Sequence, residues 1–425
     1  MTPYLQQHAL YPPLVETRPS PSLGLVVTVP ACDEPQLLLS LKSLERCALP
    51  QCDVEVLVLI NHSEAAEPEL RQRSLEQYEQ LTAWARTAGR RALRFHILYL
   101  PDLPKRHAGV GLARKILMDE ACFRFAKTVG GGAEVGRDGI IACFDADALV
   151  EPNYFQSLEQ YFIENTKQDA CSIRFAHPLK GSDFPPEVYE AIAQYELHLR
   201  VYLQWQRWAG FPHAFHTIGS SMAVRAKAYQ QQGGMNKRQA GEDFYFLQKF
   251  IEIGRLGELC DTCVVPSPRL SNRVPFGTGR AVGELLQASS PVWFTYHPKS
   301  FFMLRDLYAA VPSLYEGGAD SLARILNPVL LDFLREQDGG AAFRQIRSNV
   351  ATAEAFCKRF FRWFSAFRQM KFLHYARERG YPDRPVVEVA LQFLKTASLP
   401  IPEQVNAKNL LRLFRSLECD FAASD

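Results

Sequence analysis

No stretch of about 18 uninterrupted apolar residues occurs in the 425-residue sequence, so no membrane-spanning helix is expected. The first residues, MTPYLQQHALYPPLVETRPSPS, lack the basic-then-apolar layout of a secretory signal, and a cytoplasmic location is the expectation. No charge of one sign dominates. The 48 Lys and Arg nearly balance 46 Asp and Glu, and a formal net charge of +2 gives no reason to expect a nucleic-acid partner. The ten cysteines are scattered, and only Cys260-x-x-Cys263 has zinc-like spacing, with no second pair. Reduced, packed thiols are therefore expected, not a disulfide framework. No internal repeat is visible, and the only low-complexity tract is Gly130-Gly131-Gly132 with Gly136, which reads as a surface loop.

What remains is an ordinary globular composition, 47% apolar and 22% charged, in a chain long enough for two domains. Residues 1–22 are rich in Pro and polar groups and read as an extended arm. Apolar, β-branched runs at Leu23–Val29, Val54–Ile60 and Leu93–Leu100 read as strands. Helical spacing at Gln36–Cys47, Pro68–Thr87 and Gly111–Thr128 separates or follows them. This alternation predicts an α/β fold built on a doubly wound, mostly parallel sheet. Helices are expected at Tyr154–Asn165, Pro185–Ala209 and Phe244–Ile253, and strands at Ala170–Phe175 and Cys260–Val265. From about Gly283 the pattern is mostly helical. The domain reading is thus an arm (1–22), a nucleotide-binding half (23–152), a second half of different character (153–282) and a C-terminal mostly helical region (283–425).

The chemistry concentrates at Asp138–Pro152. Ile140–Phe144 reads as a buried strand that ends in two carboxylates, Asp145 and Asp147, one small residue apart. At a strand end, positions i and i+2 face the same way, and open α/β sheets bind ligands at that edge. Two convergent acids suit Mg²⁺ or Mn²⁺ carried on a substrate diphosphate. The plainer reading is a pair of solvated turn residues.

With the Pro30-Ala31-Cys32-Asp33-Glu34 loop, the Asp145-Ala146-Asp147 motif, and Gly233-Gly234-Met235 followed by Glu242-Asp243, residues 23–265 resemble glycosyltransferase family 2. The resemblance implies a GT-A fold and sugar transfer from a nucleotide diphosphate donor to an acceptor hydroxyl, expected to invert configuration. It implies Asp147 as direct metal ligand, Asp145 on the metal and the ribose, Asp243 as general base, and Glu242 fixing acceptor hydroxyls. Pro30, Ala31, Asp33, Glu34 and Ala146 fall at the family's donor loops, and Asn61 stands where the family usually carries a nucleobase-contacting acid. His216, Gly219 and Ser220 lie where the family places acceptor contacts.

Other residues are candidates on their own chemistry. Arg114 and Lys115, near a helix start, suit a diphosphate or a solvated basic surface. Arg269, Arg273 and Arg280, with Gly277 and Gly279, suit a phosphate-covering lid. His297 is a minor candidate for a further metal ligand. The aromatic, basic segment Phe356–Arg379 reads first as a packed helix with its cations in water, second as a weak peripheral membrane contact at the inner face. Two other functions compete with sugar transfer. Phe144-Asp-Ala-Asp also resembles the nucleophile motif of haloacid-dehalogenase phosphatases, with Asp145 attacking phosphorus. A non-catalytic nucleotide-sugar-binding module is the other.

Overall fold

A computed structural model of the chain describes residues 2–128, 138–271, 277–317 and 326–422. The glycine loop around Gly130–Gly136 and Arg273 fall outside the described residues. The chain forms two compact units. One comprises residues 1–178, 217–268 and 272–277, and the other 179–216, 269–271 and 278–425. The expected first half (23–152) lies wholly in one unit, whereas the expected second half (153–282) is divided, with residues 179–216, 269–271 and 278–282 grouped with the C-terminal helices.

The first unit is an α/β structure. Its elements begin with α1 (Pro3–His8), β1 (Leu23–Ala31), α2 (Leu37–Glu45), β2 (Asp53–Ser63), α3 (Pro68–Ala85), β3 (Leu93–Leu103) and α4 (Val110–Thr128). There follow β4 (Ile140–Cys143), β5 (Leu149–Val150), α5 (Tyr154–Glu164) and β6 (Ala170–Phe175). After the excursion into the second unit come β7 (Met222–Arg225), α7 (Ala226–Gln231), α8 (Glu242–Ile251) and β8 (Leu256–Val265). Among the described residues the sheet has eight strands, in the order β3-β2-β1-β4-β7-β6-β8-β5. Strands β3, β2, β1 and β4 are parallel. Direction reverses at β4–β7 and β7–β6, returns to parallel at β6–β8, and reverses at β8–β5. The expected parallel order holds for the first half, and the whole sheet is mixed.

The continuous Val, Leu and Ile runs of β1 and β2 are buried on both faces, as a central parallel strand requires. β1 lies between β2 and β4, so the chain winds away from it in both directions. That arrangement opens a crevice at the carboxyl ends of β1 and β4, where ligands of such sheets bind.

Residues 1–22 are not a simple extended arm. Pro3–His8 is helical, with Thr2 capping Leu5 N–H and proline in the first turn. The segment is fastened along α4 by buried polar contacts. Lys115 donates to Tyr4 Oη and to Asp119, each at 2.9 Å, and Tyr4 and Tyr229 donate to the other Asp119 oxygen. Glu120 accepts the backbone N–H of Leu14 and Val15. Arg124 pairs with Glu55 through two 2.7 Å bonds and also reaches the Thr17 carbonyl. Lys115 is thereby spent on architecture, which corrects its reading as a phosphate contact or a solvated surface cation.

The second unit is largely helical. α6 (Pro186–Ala209) packs with Pro298–Gly317, Val386–Thr396 and Ala407–Ala422 around Trp205, Phe301, Phe393 and Phe414. In the segment Phe356–Arg379, Phe356, Phe360, Phe364 and Phe372 are fully buried in this core, while Lys358, Arg359 and Arg362 face solvent. Packing is the reading this geometry favours. No helix among the described residues is long and apolar enough to cross a membrane.

Candidate functional site

Two short turns and one helix start make the site. β4 ends at Cys143, and Phe144 N–H still bonds to the Thr28 carbonyl. The chain then turns, with Ala148 N–H closing onto the Asp145 carbonyl at 3.1 Å. Asp145 and Asp147 therefore lie in a turn and not on the strand, so strand alternation does not set their directions. Ser40 of α2 donates to the Ala146 carbonyl at 2.8 Å and holds that turn against the sheet. Ala146 itself is buried and Asp145 is half-exposed.

Glu242 and Asp243 open α8. Gly241 before them has φ +71°, a left-handed conformation that other residues adopt at a cost. Phe246 and Phe250 bury the inner face of the helix, which fixes the direction of its first turn. Glu242 is almost fully buried, and Asp243 is half-buried and accepts from its own Phe244 N–H at 2.8 Å. The nearby Gly219 backbone N–H favours the ionised form of Asp243.

Arg114 joins these pieces. It is buried at the start of α4, where one guanidinium nitrogen donates to Glu242 and the other to Asp145 at 2.5 Å. Burial alone would make that cation easier to deprotonate, but the Asp145 and Glu242 carboxylates beside it outweigh burial and keep it charged. Gly219 lies directly over the guanidinium, since a Cβ there would stand 2.4 Å from Nη1 and 2.7 Å from Cζ. Gly111 serves the same approach one turn earlier. A Cβ on it would meet the Arg238 and Asn236 carbonyls and Glu242 Cβ, so only glycine lets α4 sit against the loop leading into α8.

The electrostatics follow from this enclosure. Burial raises Glu242, Arg114 opposes it, and the neighbouring Asp243 raises it again, leaving it at about 7. Burial likewise raises Asp243 above the usual aspartate range against the pull of Arg114. A helix start ordinarily favours ionised acids by about 0.3–1 kcal/mol, too little to offset desolvation of two adjacent carboxylates. Glu242 is thus poised to exchange a proton near neutral pH, and Asp243 holds its proton more firmly than an ordinary aspartate.

Of the residues singled out from sequence, Arg114, Asp145, Gly219, Glu242 and Asp243 come together. Ser220 is buried beside Gly219. Ala31 is buried at the end of β1, Pro30 pairs with Leu59 inside the sheet, and Glu34 is buried and accepts from Gln36 N–H. Asp33 sits at φ +49° and takes a two-pronged ion pair from Arg73 at 2.9 and 3.0 Å. Asn61 donates its amide to the Ala31 and Leu59 carbonyls, tying the ends of β1 and β2 together. His216 belongs to the second unit, where it pairs with Glu418 at 3.0 Å. Glu418 also pairs with Arg200 there, so His216 has a structural partner in place of the expected acceptor contact. Arg280 pairs with Glu284 one helical turn on, an exposed pair in the second unit. Among the described residues, no group of three or more His, Cys, Asp or Glu is gathered for a metal, and the His297 ring accepts from Lys299 N–H.

Sequence reasoning missed the joining role of Arg114 and the roles of Gly219 and Gly111 as close-approach glycines. Gly219→Ala is expected to displace the guanidinium and to cost about 1–3 kcal/mol of stability, the range for overpacking a filled interior. Urea unfolding of the variant checks this, and an unchanged midpoint would show that Arg114 relaxes freely.

No protein-family model matches the chain, and no curated protein does. Among solved structures it resembles S. aureus TarS 1–349 in complex with UDP-GlcNAc, at 13% identity and a TM-score of 0.39, covering 90% of this chain and 97% of that one. The same fragment with UDP gives 13% identity and a TM-score of 0.37, with the same coverage. A longer TarS chain gives 14% identity and a TM-score of 0.37, covering 84% of this chain and 53% of that one. Such scores mark a likeness of broad outline, too loose to assign an activity.

Proposed function

We propose that the protein is a nucleotide-sugar-dependent glycosyltransferase of GT-A type that moves a sugar onto an acceptor hydroxyl, with inversion. The observation that carries this is the path Asp145–Arg114–Glu242, half-exposed at Asp145 and buried from Arg114 onward, beside Asp243 at the carboxyl end of the β1–β4 pair. It unites a donor-side carboxylate turn with an acid pair on a helix start, the two parts that such a transfer needs in one place. The order of motifs along the chain supports the same reading.

In this mechanism Asp243 takes the proton from the attacking acceptor hydroxyl. Its raised affinity for protons makes it a better base near neutrality than a solvated aspartate. Glu242, anchored on Arg114, holds the acceptor side, and the Phe244 N–H orients the Asp243 carboxylate. Asp147 and Asp145 would hold a Mg²⁺ or Mn²⁺ ion. Two protein carboxylates complemented by substrate phosphate oxygens are a donor set these ions take. When bound, such an ion offsets the charge that develops on the departing diphosphate. Arg114 contributes a second, permanent positive charge, fixed before substrate arrives.

The test is a thermal-shift screen against UDP-, GDP- and dTDP-sugars, with and without Mn²⁺, followed by nucleoside diphosphate release. One donor class is expected to raise the melting temperature by mass action, most with the cation present. Phosphate release from a simple phosphomonoester, with no response to any nucleotide sugar, would replace this reading by the phosphatase one.

A further inference from the structure

The first unit has a second concavity that sugar transfer leaves unused. At the amino-terminal end of β3, a cavity of about 530 Å³ is walled by Thr17, by the chain from Ala85 to Arg91, and by Leu93 to His96. Strands β1 to β4 are parallel, so this is the sheet edge opposite Asp145. Four arginines line it within nine residues: Arg86, Arg90, Arg91 and Arg94.

They are not equivalent. Arg90 is committed, donating to the Glu45 and Cys47 carbonyls at 2.7 Å each. Arg94 makes one long bond, 3.5 Å, to the Arg18 carbonyl. The side chains of Arg86 and Arg91 are exposed and make no hydrogen bond or ion pair with any described residue. Two acids lie beside the cavity. Glu45 accepts from Gly89 N–H in the cavity wall, and Glu55 is held by Arg124 with His96 at 3.7 Å. Four arginines thus outnumber the acids of this concave place, and the Arg86 and Arg91 guanidinium groups have no carboxylate partner among the described residues.

We propose that this cavity binds a ligand through a phosphate or diphosphate group gripped by Arg86, Arg91 and Arg94. The volume lies within the range of about 300–1,000 Å³ typical of small-molecule sites. The planar guanidinium fork matches phosphate oxygens two at a time. Phe95 and Leu93 add an apolar floor, suited to the body of a phosphorylated organic molecule. The carbonyl end of α3 also reaches this cavity and disfavours an anion. That effect is confined to the last turn and is weaker than one charge-assisted hydrogen bond. Arg86 alone would be explained as a cation at that helix end, but Arg91 and Arg94 lie beyond it.

The experiment titrates the full chain calorimetrically with inorganic pyrophosphate in metal-free buffer. A parallel arm measures co-sedimentation with phosphatidylcholine vesicles carrying phosphatidic acid. Wild type is compared with R86Q/R91Q, whose exposed side chains can change without disturbing the core. The double variant is expected to bind about a hundredfold more weakly at this site, the loss of two charge-assisted contacts. In wild type, pyrophosphate should also protect Arg86 and Arg91 from phenylglyoxal, mapped by mass spectrometry. Pyrophosphate binding that is lost in the double variant assigns the site to a soluble phosphorylated ligand, and vesicle binding lost in the double variant assigns it to a lipid headgroup. Identical behaviour of wild type and R86Q/R91Q with both probes, or no protection of either arginine, overturns the proposal.

Discussion

Asp243→Asn is expected to lower the turnover number by about 10²–10⁴ while leaving donor affinity within a few-fold, because it removes the proton acceptor and little else. Asparagine has nearly the same shape and still accepts the Phe244 N–H through its carbonyl oxygen. The pH profile provides a second readout. Burial holds the Asp243 proton above the ordinary aspartate range, so the wild-type rate should rise as pH climbs through that raised value. The variant should lack this ascending limb. Steady-state kinetics of nucleoside diphosphate release, with donor affinity measured separately, checks both. Full activity in the variant would remove Asp243 from the chemistry, and no turnover by the wild type would leave a binding module as the better description.

Arg114→Gln is expected to cost about 3–5 kcal/mol of stability and most of the activity, because it leaves two carboxylates buried or half-buried without their cation. The cost depends on pH in a definite direction. An acid whose native pKa is raised contributes stability below its unfolded value, about 4.5 for Glu242, and loses it as pH rises through about 7. Without Arg114 the proton is held still more firmly. Glu242 can then stay neutral in mildly acidic buffer but must ionise or unfold in alkaline buffer. Urea unfolding should therefore show the larger deficit above neutrality and a smaller one near pH 5. Arg114→Lys should recover part of the stability but less of the activity, since a single ammonium cannot serve Asp145 and Glu242 as a fork does. A deficit independent of pH would mean that packing, and not charge, is what Arg114 supplies.

The strands and the acids of this site were legible because they depend on local pattern. The unbroken apolar runs at Leu23–Val29 and Val54–Ile60 can only be buried strands, and Asp145-Ala-Asp147 follows one directly. The acid pair was visible because Gly241-Glu242-Asp243 precedes an amphipathic helix. Arg114 and Lys115, in contrast, look alike in sequence. Neighbours on a helix point about 100° apart. That rotation sends one to Asp145 and Glu242 and the other to Tyr4 and Asp119. The short helix at Pro3–His8 was hidden for a related reason. Its support is Asp119 and Tyr229, more than a hundred residues away, not its own propensity. His216 and Gly219 lie three residues apart, yet the first pairs with Glu418 in the helical unit and the second covers Arg114 in the sheet unit. No periodicity marks where a chain passes from one unit to the other.

The candidate site is made of positions 114, 145, 219 and 242, brought together across a large part of the chain. Closing such long loops is entropically slow, and contacts of this kind form late. A nascent chain that has emerged only as far as β4 already owns the Asp145 turn but lacks the acid pair of α8 to set against it. Competence to bind substrate should therefore arise in a single late step, so that ligand affinity doubles as a gauge of whether the sheet unit has finished folding.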